Sequence, residues 1–226
     1  VKATFSLLPD REASVSPPLP VERADASYDD SPTRSLRSAS ELAPFLPSAG
    51  VMLTGHAHAP AGAPVSALSA RLGVFSGTAS LLDKTVHVFG DVGPGGGPAA
   101  PFQSMPLVYE RACGGPGVPA NPVGLGGPGA RRPNLIDPNN AHRPAGFGPI
   151  APHWPLRRRL FAGLEPHPGE GQIMDLPGDF DFRAFHAAPL DQQIPFLQGD
   201  EWILLDNLSP GRARVQTRLP GASGQA

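Results

Sequence analysis

The chain has 226 residues, enough for one sizeable core, and its 18 Lys+Arg stand against 20 Asp+Glu for a net charge of -2, without the basic excess of a nucleic-acid binder. Glycine and proline number 27 and 30, a share at the edge of low-complexity composition, but 40% of the residues are hydrophobic, too many for a disordered protein. The balance implies a folded domain of short strands carrying long loops stiffened by Pro and Gly.

At the start, Val1, Ala3, Phe5 and Leu7 alternate with Lys2, Thr4 and Ser6, which predicts a half-buried strand over 1–8. Residues 9–50 are rich in Pro, Ser and Asp and read as loop. Strand patterns return at 51–59 (VMLTGHAHA), at 65–75 with Leu68, Ala70, Leu72 and Val74 on one face, and at 84–89 (KTVHVF). The glycines of 90–101 mark a flexible connection, and 105–112 (MPLVYERA) predicts a short strand. The chain is then irregular over about 113–180, with a short helix expected near 180–188.

Two strands close the chain: a buried one at 201–208 (EWILLDNL) and an alternating one at 212–219, joined by the turn SPG at 209–211. No repeat and no βαβ alternation is present. The expected class is mainly β, with antiparallel, sandwich-like sheets in a single domain over 1–226. The chain opens in a strand pattern without Met, so a trimmed or excised segment is expected. No run approaches the roughly 18 apolar residues of a membrane span, so no membrane partner is expected. The lone Cys113 cannot form an internal disulfide and fits a reducing, cytoplasmic compartment.

Candidate chemistry is sparse. His56 and His58 are two apart on a strand and share a face; they are either half-exposed strand-end histidines or a metal pair awaiting a third ligand. Cys113 lacks a recognisable base and reads as a packed thiol. The loops GPGGGP and GLGGPG lack the Gly-Lys-Ser/Thr ending of a phosphate loop. The acids Asp179, Asp181, Asp200 and Glu201 read as turn caps and solvated charges. No Ser-His-Asp arrangement can be placed, so no cofactor, no stoichiometric metal and no enzyme activity is expected. The alternative is a metal-dependent hydrolase using His56 and His58.

The stretch RPAGFGPIAPHWPLRRR, residues 143–159, has neither helical nor strand periodicity. Its prolines and glycines stiffen a loop, and its aromatics anchor one. Arg143, Phe147, Trp154, Arg157 and Arg158 are therefore candidates for protein binding or loop anchoring. Trp154 is expected to be buried against Phe147 and Phe161, with arginines 157–159 facing solvent or a partner.

Six segments in order carry a resemblance: SLRSASELAPFLPSAGVMLTGHAHAP, PFQSMPLVYERACGG, NPVGLG, PNLIDP, RPAGFGPIAPHW and FHAAPLDQQ. Together they resemble a bacterial uncharacterised-domain family whose genes accompany type VI secretion effectors. The resemblance spans about residues 1–219. It implies a cytoplasmic adaptor or chaperone that helps load PAAR-bearing toxins onto the secretion spike, with a secreted effector or spike protein as partner and no catalytic residues. The chain departs from the family pattern at Glu41, at Leu46 where Lys is usual, and at Gly50 where Asp is usual. It departs again at Val92 where Arg is usual, at Cys113 where an aromatic is common, and over 162–165.

Overall fold

The computed structural model describes residues 3–93, 96–126, 131–165 and 175–220. Among them are fourteen strands, most very short. In chain order they are β1 (Thr4–Ser6), β2 (Arg11–Glu12), β3 (Ser14–Ser16), β4 (Ala26–Ser27), β5 (Leu36–Ser38), β6 (Ala49–Gly50) and β7 (His56–His58). After these come β8 (Ala67–Ser76), β9 (Ala79–Phe89), β10 (Ser104–Pro106), β11 (Leu135–Ile136), β12 (Gln193–Ile194), β13 (Trp202–Ser209) and β14 (Arg212–Arg218). The one α-helix among the described residues, α1, is the single turn Pro155–Arg158. The fold is mainly β, as expected.

One six-stranded sheet, ordered β11-β9-β8-β13-β14-β2, organises the molecule, and four two-stranded ribbons surround it. Every pairing in the main sheet is antiparallel except the short β14–β2 contact at one edge. The β8–β9 hairpin turns over two residues, and Gly77 takes a positive φ of 56° there, the conformation a tight hairpin turn demands.

Alternation places Leu72, Val74, Val86, Val88, Leu205 and Val215 of the sheet in the main core. Ala57 of β7, Met105 of β10, Ile194 of β12 and loop residue Phe147 pack onto them. The ribbons and loops thus act as a second layer, which is what makes the fold sandwich-like. Phe147 is fully buried, which favours folding by about 1.5–3 kcal/mol.

Several elements differ from their sequence patterns for identifiable reasons. The first strand covers only Thr4–Ser6, and Val1 and Lys2 lie outside the described residues. β9 begins five residues before the predicted 84–89. The register jumps from Phe75↔Ser80 to Val74↔Leu82, leaving Leu81 as a bulge, and this extra residue breaks the period that alternation relies on.

Over 51–59, only His56–His58 forms a ladder. The amides of Val51 and Leu53 instead donate to the loop carbonyls of Gln192 and Phe147. The segment predicted as a strand at 105–112 ends in a 3-10 turn at Tyr109–Arg111. The expected helix near 180–188 is a 3-10 turn at Phe182–Phe185, capped by the Asp181 carboxylate accepting from the Arg183 amide.

Candidate protein-binding groove

The loops flanking the main sheet are tied together by side chains that bond distant backbone. Tyr109 Oη donates to Gly148 O at 3.0 Å. Asn121 Nδ2 donates to Tyr109 O and Cys113 O, both at 2.9 Å. The amide and hydroxyl of Ser35 donate to the Glu110 carboxylate at 2.7 and 2.8 Å. Gln192, fully buried, donates to Val51 O at 2.6 Å and to Phe147 O at 2.9 Å. Irregular backbone exposes carbonyls that no ladder satisfies, and these side chains supply the missing donors. The loops therefore hold a defined shape without regular structure.

A charged chain runs beside this knot. Lys84 Nζ lies 3.0 Å from Asp191 Oδ1 and 2.7 Å from Gln192 Oε1. Arg143 stands 3.8 Å from the same Asp191 and 3.9 Å from Asp137. Burial pushes the Lys84 ammonium below its ordinary value, against the pull of Asp191. The amine is held by a carboxylate and an amide oxygen, so it acts as a paired structural cation rather than a free nucleophile.

The candidates from the 143–159 stretch have separate fates. Trp154 is 1% exposed, as expected, but its ring partner is Tyr109, edge-on at 5.3 Å. Phe147 belongs to the main core and Phe161 to a third cluster with Phe180 and Ala184. The expected Trp154–Phe147–Phe161 group therefore does not form, because each ring faces a different layer.

Arg157 is also a correction: it is buried, not part of a solvated patch. It donates to Ala184 O through Nε and Nη2, at 3.2 and 2.9 Å, and to Ile150 O through Nη1. Burial pushes its guanidinium down to about 10. Arg158 is partly exposed and, among the described residues, reaches only Leu164 O at 2.9 Å and the exposed Glu165 at 3.9 Å. Arg158→Ala is expected to cost less than about 1 kcal/mol, measurable by thermal or urea unfolding.

Three adjoining clefts run along this stretch. The first, about 130 Å³, lies against β9 at Asp83–Val86 and holds Asp137, Arg143 and Asp191. The second, about 220 Å³, shares Lys84, Arg143, Pro144 and Asp191 with it and continues over Tyr109, Ile150 and Leu156. The third, about 130 Å³, shares Ile150, Leu156 and Leu190 with the second and ends among Arg157, Arg159 and Arg183.

The 143–159 stretch forms one wall of this groove and residues 186–193 form the other. Gly146 is required where the wall meets Tyr109, since a Cβ there would lie 2.6 Å from the ring. Leu190 stands 62% exposed at the rim. Among the described residues, the exposed large hydrophobics fall in two places. Leu7, Leu8, Val15, Leu19 and Val21 lie on the N-terminal segment; Leu42, Phe45, Met52, Leu190, Phe196 and Leu197 lie on the two segments joined by β6 and β12. Clustered exposure of this kind marks interaction surfaces.

His186 closes the third cleft. It is 3% exposed, bonds Ser48 Oγ at 3.1 Å, and leaves no room for a side chain at Gly50. Burial lowers its pKa, as it does for His58 and His153. The unfolded chain takes up these protons near the ordinary value of about 6.5 and the folded chain only at lower pH. In that window the unfolded state binds more protons, so stability should fall as pH drops from about 7 to about 5. His186→Asn is expected to flatten that decline in thermal unfolding measured across the range; an unchanged slope would remove His186 as a contributor.

His56 and His58 sit side by side on β7, ring centres 6.2 Å apart. Among the described residues no group of three or more His, Cys, Asp or Glu is placed to hold a metal, so the pair meets no third ligand there. Cys113 Sγ donates to His142 O at 3.2 Å. Among the described residues no helix is long and apolar enough to cross a membrane.

Sequence reasoning passed over Lys84, Tyr109, Leu190 and Gln192 as individual site residues. A signal existed for Lys84, which shares the face of buried Val86 and Val88 by the two-residue period. Gln192 offered none, because its partner Val51 is 141 positions away.

Across residues 1–226 the chain matches the family described as "Uncharacterized protein conserved in bacteria (DUF2169)", and it belongs to that family. No curated protein and no solved structure matches it.

Proposed function

We propose that this member of the bacterial family is a non-enzymatic adaptor that seats a segment of a client protein in the groove. The observation that carries this is the groove itself: an apolar middle at Ile150, Leu156 and Leu190 between a mixed-charge end, where Arg143 stands beside Asp137 and Asp191, and a cationic end at Arg157, Arg159 and Arg183. Its walls are loops already fixed by side-chain bonds to their backbone carbonyls, so little ordering is left to do when a partner arrives.

Client apolar side chains would cover Leu190 and its neighbours, and client acids would meet the arginines, giving orientation more than raw affinity. The resemblance to the type VI adaptor family supports a secreted toxin or spike component as client, met in the cytoplasm before export. The adaptor would shield the aggregation-prone segment until hand-over.

Hydrogen exchange on the purified chain, alone and with a candidate PAAR-type toxin from the same bacterium, tests the proposal. The expected result is new protection within 143–160 and 186–193. Protection confined to other segments, or none at all, would reject the groove as the client site.

A further inference from the structure

The third cleft differs from the other two in its charge. Arg157, Arg159 and Arg183 line it and no acidic residue does, whereas the first two both contain Asp191. Arg183 is already engaged by Asp181 at 2.6 Å. Arg157 is not so engaged: it is 8% exposed, and its bonds go to the neutral carbonyls of Ile150 and Ala184. Among the described residues no carboxylate pairs with it at contact distance.

Its three bonds use three of the five guanidinium hydrogens. A buried cation bonded only to carbonyls is costly and is relieved when an anion arrives; the charge of Asp25 offsets part of that cost. The remaining lining is mostly apolar, from Ile150, Leu156, Leu160, Ala188 and Leu190, with Gln193 and His186 as its neutral polar members. An apolar cavity of about 150 Å³ holds a benzene ring, so a cleft of about 130 Å³ that is partly open accepts one aliphatic or aromatic side chain. His186, bonded to Ser48, is shared between this cleft and a separate cavity of about 380 Å³, so the line of three clefts ends at its ring.

We infer that this cleft captures the C-terminal residue of the client, its terminal carboxylate on Arg157 with Arg159 beside it and its apolar side chain among Ile150, Leu156 and Leu160. The inference rests on the groove being the client site. A C-terminal residue brings carboxylate and side chain together and ends where the groove ends. An internal Glu offers the carboxylate but needs the chain to continue on both sides.

Three small probes separate these sources by NMR titration of the isotope-labelled full chain: N-acetyl-leucine, N-acetyl-leucinamide, and N-acetyl-glutamate N-methylamide, whose only carboxylate is on the side chain. N-acetyl-leucine is expected to shift the amides of 156–160 and 183–190 saturably and to bind about tenfold or more tighter than its amide, the worth of a charged hydrogen bond. The glutamate probe is expected to bind more weakly than N-acetyl-leucine. Equal binding of acid and amide, tighter binding of the glutamate probe, or no binding by N-acetyl-leucine would each overturn the inference. Such a failure leaves the hydrogen-exchange footprint of the whole client untouched. A missing footprint beside a clear acid–amide difference would instead sink the adaptor proposal.

Discussion

Trp154→Ala is expected to lower the unfolding free energy by about 3–5 kcal/mol, the usual cost of truncating a packed Trp or Phe. The side chain is 1% exposed and sits with Leu36, Tyr109, Ile150 and Ala151 in a cluster separate from the main core. Its ring meets Tyr109 edge-on at an angle of 82°, and Tyr109 in turn holds Gly148. A void beneath Tyr109 would loosen the wall of the groove as well as the cluster. Among the described residues Trp154 Nε1 has no hydrogen-bond partner, so Trp154→Phe forfeits packing volume but no bond and should cost clearly less than alanine. Urea unfolding of both variants checks this. A loss below about 1 kcal/mol for Trp154→Ala would mean the loop carries no packing load.

Gln192→Leu is the second large effect, expected to cost about 3 kcal/mol although leucine is apolar and of similar size. Among the described residues the buried amide is the only donor to Val51 O, and its oxygen accepts from Lys84. The variant leaves that carbonyl dry and takes from a mostly buried ammonium one of its two acceptors. Phe147 O suffers less, because the Leu53 amide still donates to it. Gln193→Leu is the control: that neighbour is only partly buried and makes one bond of 3.1 Å to Ala188 O, so a loss within about 1 kcal/mol is expected. Similar losses for both would show that the position, not the buried amide, is what matters.

The parts of the fold legible in the sequence are those governed by a short period. Val215 and Thr217 point inward on β14, as their alternation with Arg214 and Gln216 requires, and the Pro210–Gly211 turn joins β13 to β14. Legibility fails where one residue is out of phase, as at the Leu81 bulge, and where the partner is far along the chain, as for Gln192 and Tyr109. Arg157 was unreadable for a different reason. Pro155 starts a helix of a single turn, too short to show a period, and that turn sends Arg157 inward and leaves Arg159 outside. The loop-anchoring role of Trp154 was legible; its partner was not.

The departures from the family pattern also gain a physical setting. Gly50 leaves space that the His186 ring occupies, so the wall ending the groove depends on glycine at that position. Glu41 keeps a carboxylate and uses it to accept from the Glu22 amide at 2.9 Å.

The central claim is that the Leu190 face, not the N-terminal apolar segment, receives the client. Its most direct test is the calorimetric affinity of the full chain for the proposed toxin client, with Leu190→Asp compared against Val15→Asp. Both side chains are exposed, at 62% and 72%, so neither change should disturb the fold. The expected result is a loss of about tenfold or more for Leu190→Asp, no loss for Val15→Asp, and unchanged melting temperatures for both. Wild-type affinity in Leu190→Asp would contradict the account.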